Sequence, residues 1–561
     1  MARATMPGLT RSASPPGRAA SSRYSRAGDR MNAPPAATGP FLTPGAALAF
    51  QARERGSAEA LAFPDGAGRL TFTEWDERSH ALARALLALG LRPGSHVALL
   101  AENRIEWPVV QLAIARMGGV FIPLNTHYRL EDLRHALGQS GAEALFLSES
   151  FRSNPYLDMV RALRPELPRL GEIVVFGTAG AGERSFDETL AVGAAMRALL
   201  PEVGAEEVGS LQYTSGTTGF PKGALLSHRG MMQNAWETAQ RLGIRAGDRW
   251  TSIIPLFHCA GCIMNLLGCL QTGACYVGVP AFDPERMFRI IENERCTALS
   301  GVPTSYLAML QHPTRARYDL SSLRTGTCGG ADCNPEIIRR CAEEFPQPQL
   351  CQVYGQTEAS TLIACPSFDD PERFETAGPP LPGFELRVTD PATREVVAPG
   401  ATGQIEVRGA MVMKGYYDKP EESAATLDDE GWLQTGDLGH LRPSGRLVIG
   451  GGRLRDMIIR GGENIYPVEI ENVLAQHPAV AGVAVFGVPD AYYGEIVAAA
   501  VRLRKEVAAA DFAAFCAARI ARFKVPAQFF RVAEFPLNAS GKILKRTLRE
   551  RHAAGQLELL P

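Results

Sequence analysis

The stretch Tyr213-Thr-Ser-Gly-Thr-Thr-Gly-Phe-Pro-Lys-Gly223 packs four hydroxyl side chains after Tyr213 into eleven residues, together with three glycines and a lysine. The hydroxyls are Thr214, Ser215, Thr217 and Thr218; the glycines are Gly216, Gly219 and Gly223. Glycine lets a backbone turn its N–H groups toward an anion, hydroxyls add donors, and Lys222 adds a point charge. Those are the groups a polyphosphate requires. Because Pro221 precedes the lysine and Gly223 follows it, the stretch does not fit the G-x-x-x-x-G-K-[ST] pattern, so this is a different kind of phosphate loop.

Outward from the loop, apolar spacing alternates between two periods. Arg78–Gly90, Trp107–Met117 and Leu130–Leu137 have helical spacing, whereas His96–Ala101, Gly119–Leu124 and Glu143–Leu147 read as short strands. The rhythm resumes after 220 and reaches the strand-like Ala298–Val302. Strands alternating with helices predict an α/β fold with parallel or mixed sheets flanked by helices. From Gly383 to Val448 short strands and turns predict a small β-barrel, and beyond Arg455 a compact α/β module follows. The expected division is a tail over 1–40, disordered or ahead of the true start at Met31, a large domain over 41–453 and a small mobile domain over 454–561. The tail's six arginines and single acid, Asp29, mimic a transit peptide, but no amphipathic stripe accompanies them.

At 561 residues the chain exceeds what one core supports, about 250–300 residues. A net charge of -2 gives no electrostatic case for nucleic acid. The longest stretch without a formal charge, Trp250–Phe282, is broken by Pro255, His258, Asn265, Gln271 and Pro280, so it reads as a buried helix and strand, not a transmembrane segment. Eleven cysteines, an odd number, read as reduced thiols in a cytoplasmic setting; Cys259 and Cys262 form a C-x-x-C without a second pair at zinc spacing. Of 58 basic residues only seven are lysines, yet lysine stands at 222 and 542. A compact ammonium differs from a guanidinium in reach and hydration, which marks both positions.

Four segments, in order, resemble the acyl-adenylate-forming enzymes, a family that includes acyl-CoA synthetases, firefly luciferase and peptide-synthetase adenylation domains. The segments are the 213–223 loop, Tyr354-Gly-Gln-Thr-Glu358, Thr435-Gly-Asp437 and Asn538-Ala-Ser-Gly-Lys542. The resemblance extends over roughly residues 45–550 and implies activation of a carboxylate by Mg²⁺-ATP to an acyl-AMP, followed by transfer to a thiol. Glu358 would hold Mg²⁺, a hard oxygen for a hard cation. Thr357 would bind the α-phosphate, and Thr214, Ser215, Gly216, Thr217, Thr218, Gly219 and Lys222 the polyphosphate. Gly329, Gly330 and Ala331 would lie against adenine, with Tyr354 and Gly355 opposite. Asp437 would accept bonds from both ribose hydroxyls, and Arg453 would reach the ribose or phosphate. Arg455 resembles the pivot of an interdomain hinge. Lys542 would enter for adenylation, and after the swing Arg460-Gly461-Gly462-Glu463-Asn464 would replace it and line the pantetheine tunnel, with Gly462 allowing close approach of the thiol arm.

Pro255-Leu-Phe-His258 resembles the segment bordering the family's acyl pocket, with His258 beside the substrate carboxylate. Amino-acid-activating relatives carry an aspartate here, and Phe257-His258 has none. An apolar lining from Phe257, Cys259, Gly261 and Cys262, with Trp236 and Gly301–Pro303, predicts a hydrocarbon acid: fatty, alicyclic or aryl. The gate tryptophan of some long-chain relatives is Cys262 here. Nineteen residues follow Lys542, so coenzyme A is the simpler acceptor, with a carrier protein as the alternative. A nucleotide-binding regulator is the non-enzymatic alternative, against which intact Lys222, Glu358, Asp437 and Lys542 argue; a luciferase-like oxygenase shares the same motifs. Glu469 and Glu471, after Pro467, suit a helix N-terminus and receive no chemistry. The expected partners are small molecules, with the chain a monomer or homodimer and any membrane contact peripheral.

Overall fold

The structure, a computed structural model, describes residues 40–561 except 66–67, 215–220, 331–334, 346–348, 454–455, 461–462, 491, 521 and 538–541. Outside the described residues therefore lie the tail before residue 40, Ser215, Gly216, Thr217, Thr218, Gly219, Ala331, Arg455, Gly461, Gly462 and the Arg453 side chain.

Two seven-stranded sheets dominate. One runs in the order Arg184–Ser185, Glu172–Val175, Ala144–Leu147, His96–Leu100, Val120–Pro123, Val208–Thr214 and Lys222–Ser227. The other runs Gln349–Gln352, Thr325–Cys328, Ala298–Gly301, Arg249–Ser252, Cys275–Val277, Glu59–Phe63 and Gly68–Thr71. All neighbours are parallel except the last pair in each. The strands are short and apolar because both faces are covered. Along His96–Leu100, Val97 and Leu99 enter one core, while Ala98 and Leu100 enter another. The second sheet splits likewise, with Leu61 and Phe63 in the first of these cores and Ala62 in a third. One apolar cluster, containing Trp75, Trp107 and Trp250, thus serves both sheets, and each sheet's other face has its own.

The 78–90 helix starts earlier than its apolar spacing suggests, at Phe72, because Thr71 and Glu74 form a reciprocal cap. The 383–448 strands extend to Arg453 as an open antiparallel sheet of four, a half-barrel. The C-terminal module centres on the hairpin Val480–Asp490 and Gly494–Leu503, with Gln528–Arg531 parallel to the latter. Its helix Ala509–Ala517 is followed by the 3₁₀ turn Arg522–Lys524. The helix Pro467–Ala475 opens on proline as expected. Glu469 is paired with Lys524, and Glu471 with Lys545.

The uncharged stretch Trp250–Phe282 holds a strand, a helix and a second strand, but Ala260–Leu267 is wound as a π-helix, which its apolar spacing does not disclose. The buried Asn265 amide donates to the Ala260 carbonyl (2.8 Å) and Ser252 Oγ (2.9 Å), and accepts from Trp250 Nε1 and Ser300 Oγ (both 3.0 Å). It ties the wide turn to the second sheet. π-turns concentrate at functional sites, and this one begins two residues after His258.

Next to the phosphate hairpin, His228 opens the helix His228–Arg241 at 1% exposure, with no partner for either ring nitrogen among the described residues. Burial pushes its pKa from 6.5 down to about 4, against a smaller opposing pull from Glu207. The unfolded chain therefore binds a proton between pH 6.5 and 4 that the folded chain refuses. Stability is full above pH 6.5 and falls toward pH 4 by up to about 3 kcal/mol. Urea midpoints measured from pH 7 to 4 are expected to show this fall, and His228→Leu to flatten it; an equal slope in the variant would place the loss elsewhere.

Candidate active site

The phosphate loop closes a β-hairpin. Thr214 ends one strand, Lys222 begins the next, and the two are register partners. The helix Leu130–Ser140 braces the base of this hairpin: Tyr213 Oη donates to the Ala136 carbonyl (2.8 Å), and His135 Nε2 lies 3.2 Å from the Pro221 carbonyl. On the far edge, segment 414–417 bonds to the Lys222 strand through Leu225 N–H to the Gly415 carbonyl and Tyr417 N–H to the Gly223 carbonyl. This brings Tyr416 under Lys222, whose Nζ sits 5.1 Å from the ring centroid.

Tyr416 Oη also donates to Glu358 Oε1 at 2.8 Å. The expected phosphate lysine and the expected metal carboxylate are thus joined by a residue that motif reading passed over. Its only local signal was the run Lys414-Gly-Tyr-Tyr417 after a strand. Glu358 is held from its backbone too, as Met413 N–H donates to its carbonyl (2.7 Å). Two residues on, Ser360 has φ +61°, a conformation costing about 1–3 kcal/mol in a non-glycine residue. The Asn234 amide fastens this turn by donating to the carbonyls of Ala359 (3.2 Å) and Leu362 (2.7 Å), and Ser360 Oγ donates to the Met411 carbonyl (2.7 Å). Strain held this firmly fixes Thr357 and Glu358.

Gly329, just past the strand Thr325–Cys328, lies against Val353, where an added Cβ would stand 2.6 Å from Val353 Cγ2, and Gly330 follows at φ +78°. Gly355 is similarly closed, with its Cβ position 1.9 Å from the Thr361 carbonyl oxygen. Tyr354, nearly buried, donates from Oη to Asp437 Oδ2 at 2.9 Å. Asp437 and Arg453 are register partners across the half-barrel. Tyr354 therefore meets Asp437, whose register partner is the backbone of Arg453.

The apolar helix, at its head, meets the Thr357–Ser360 turn, where Thr361 Oγ1 donates to the Cys259 carbonyl (3.4 Å). Cys259 Sγ is 3.5 Å from Thr357 Oγ1 and 3.7 Å from His258 Nδ1. Burial pushes the Cys259 thiol up, but His258 and the hydroxyls of Thr357 and Thr361 outweigh it and leave the thiol below its ordinary value. Gln212, buried on the strand leading into the phosphate loop, donates to the Phe257 carbonyl (2.5 Å). Cys262 is buried in the first turn of that helix, its thiol pushed well up by burial. Lys542 is half-buried in the C-terminal module, between the bridged residues Leu537 and Ile543.

A cavity of about 270 Å³ adjoins this region and is lined by Ser252–Pro255, Val279–Phe282, Asn103, Glu102, His127 and Arg152. Burial lowers the His127 pKa, and the charges of Arg152 and Arg129 lower it further.

Lys222 over Tyr416, Tyr416 on Glu358, Tyr354 on Asp437 and Cys259 at Thr357 together form one candidate site. Residues 48–417 match the AMP-binding enzyme family, and residues 469–542 match the AMP-binding enzyme C-terminal domain. The chain is 37% identical over 526 residues to the 3-[(3aS,4S,7aS)-7a-methyl-1,5-dioxo-octahydro-1H-inden-4-yl]propanoyl:CoA ligase of Rhodococcus jostii, covering 91% of this chain and 99% of that one. It is 34% identical over 522 residues to the mitochondrial medium-chain acyl-CoA ligase ACSF2 of Danio rerio, covering 88% and 85%. Among solved structures, the anthranilate CoA ligase AuaEII with anthranoyl-AMP superposes with TM-score 0.83 at 27% identity, covering 91% and 98%. The chain belongs to the AMP-binding enzyme family, in its acyl-CoA synthetase branch. It is an acid–thiol ligase, and the family's substrates are a carboxylic acid, ATP and coenzyme A. Among the described residues no helix is long and apolar enough to cross a membrane.

Proposed function

We propose that the chain activates a hydrophobic carboxylic acid, fatty of medium to long chain or alicyclic or aryl, and transfers it through acyl-AMP to coenzyme A in the cytoplasm. One observation carries the reading: Thr357, in the phosphate motif, meets Cys259, at the head of the apolar π-helix, at 3.5 Å. An anion-binding surface and a hydrocarbon-binding surface thus share one edge, and the bond between acid and phosphate has to form there.

In this reading the carboxylate, beside His258, attacks the α-phosphorus of ATP and pyrophosphate leaves. Thr214, Lys222 and the loop Ser215–Gly219 hold the polyphosphate, and Thr357 the α-phosphate. Gly329, Gly330, Ala331, Tyr354 and Gly355 enclose adenine, Asp437 takes the ribose, and Arg453 reaches ribose or phosphate. Glu358 suits Mg²⁺ as an acceptor-only hard oxygen fixed by Tyr416. When bound, Mg²⁺ offsets the charge that develops on the departing phosphates. Lys542, brought in by the domain 454–561 turning about Arg455 on the domain 41–453, bridges carboxylate and phosphate. After the turn the thiol attacks the acyl carbon and AMP leaves, with Gly461 and Gly462 giving the thiol arm room. The two CoA ligases named above, one alicyclic and one medium-chain, support the hydrophobic class.

The test is AMP release over acids from C2 to C18, benzoate, cinnamate and cyclohexanecarboxylate, with and without coenzyme A. Turnover that requires both a hydrophobic acid and coenzyme A is expected. Release of one equivalent of pyrophosphate that coenzyme A does not extend would assign the acceptor to a carrier protein.

A further inference from the structure

The structure assigns to Cys259 a positioning role: its thiol holds the His258 imidazole with the proton on Nε2, and parks the Thr357 hydroxyl until phosphate arrives. This inference rests on the roles given above to His258 and Thr357.

Two donors face His258 Nδ1. The Cys259 thiol lies 3.7 Å away, and the Ala260 backbone N–H, at the head of the π-helix, lies 3.4 Å away. A backbone N–H can only donate, so Nδ1 is the bare nitrogen and the neutral ring carries its proton on Nε2. A carboxylate only accepts, and Nε2–H is then the donor this ring has to offer it. The thiol has one proton, which it gives to Nδ1; its sulfur, a weak acceptor, faces Thr357 Oγ1 at 3.5 Å. A hydroxyl resting on sulfur is easily surrendered to a phosphate oxygen, a far stronger acceptor. Cys259 is 2% exposed, so no solvent molecule competes freely for either contact. Burial, the largest influence, opposes charge on both groups; against it each favours the other's charged form, and the hydroxyls of Thr357 and Thr361 act on the thiol.

A valine at 259 would fill similar space without donating or accepting. In the full chain, Cys259→Val is expected to lower kcat for acid-dependent ATP–pyrophosphate exchange about five- to tenfold, the scale of one hydrogen bond, and to alter the pH profile. Cys259→Ser is expected to rescue kcat toward the parent value but raise KM for ATP, because oxygen competes for the Thr357 hydroxyl better than sulfur does. The tautomer is read separately by ¹⁵N NMR of labelled histidines, with the His258 signals identified by their loss in His258→Gln. The parent and Cys259→Ser are expected to show a bare Nδ1, and Cys259→Val a mixture. A protonated Nδ1 in the parent would overturn the proposal, as would a valine variant matching the parent in tautomer and kcat, or a serine variant as impaired as valine. If no acid supports exchange, the functional reading fails while the NMR result still decides the role of Cys259.

Discussion

Lys542→Ala is expected to lower acyl-AMP formation by about two to three orders of magnitude, the scale on which one positioned transition-state donor acts. Thiolysis of supplied acyl-AMP should keep most of its rate. The asymmetry follows from the proposed swing: a point charge placed between carboxylate and α-phosphate would matter only while that bond is forming. Lys542 is half-buried beside a two-residue bridge, so alanine there opens no cavity in the module's core, which is built around Phe512, Val501 and Ile470. Pyrophosphate exchange and acyl-AMP consumption, measured separately, decide the matter. Equal loss in both half-reactions would remove Lys542 from the adenylation step.

Glu358→Gln should reduce exchange by about a hundredfold or more and raise the Mg²⁺ concentration needed for half-saturation, because a neutral amide oxygen is a poor ligand for a hard dication. Glutamine is the informative change. Its oxygen still accepts from Tyr416 Oη, so the link to Lys222 and the strained turn at Ser360 survive. An alanine would also release Tyr416 and mix the two effects. An unchanged rate and Mg²⁺ dependence in Glu358→Gln would assign the carboxylate to Tyr416 alone, as a structural anchor.

Much of this molecule was readable before its structure. Where a strand is buried on both faces, as at His96–Leu100 or Ala144–Leu147, the run of apolar residues announces it. Where glycine is obligatory, as at Gly329 and Gly355, the backbone approach that demands it lies within a motif. The limits were just as physical. The helix start at Phe72 depends on a side-chain cap, and the π-winding of Ala260–Leu267 on what Asn265 reaches across to Trp250, Ser252 and Ser300. Neither leaves a trace in hydrophobic period.

The sequence by itself determined the chemistry available: a phosphate loop, a metal-suited carboxylate, a ribose-suited aspartate, two rare lysines, and an apolar stretch for the acid. These are properties of residue type and local spacing, which a chain carries wherever it folds. Tertiary structure alone decided which of them touch. Tyr416 joins Lys222 to Glu358 across 58 residues from the latter, and Cys259 joins His258 to Thr357 across 98. Burial leaves both ring nitrogens of His228 without a partner among the described residues. Such contacts are set by how sheets and helices stack, and packing is a property of the whole chain that no local segment encodes.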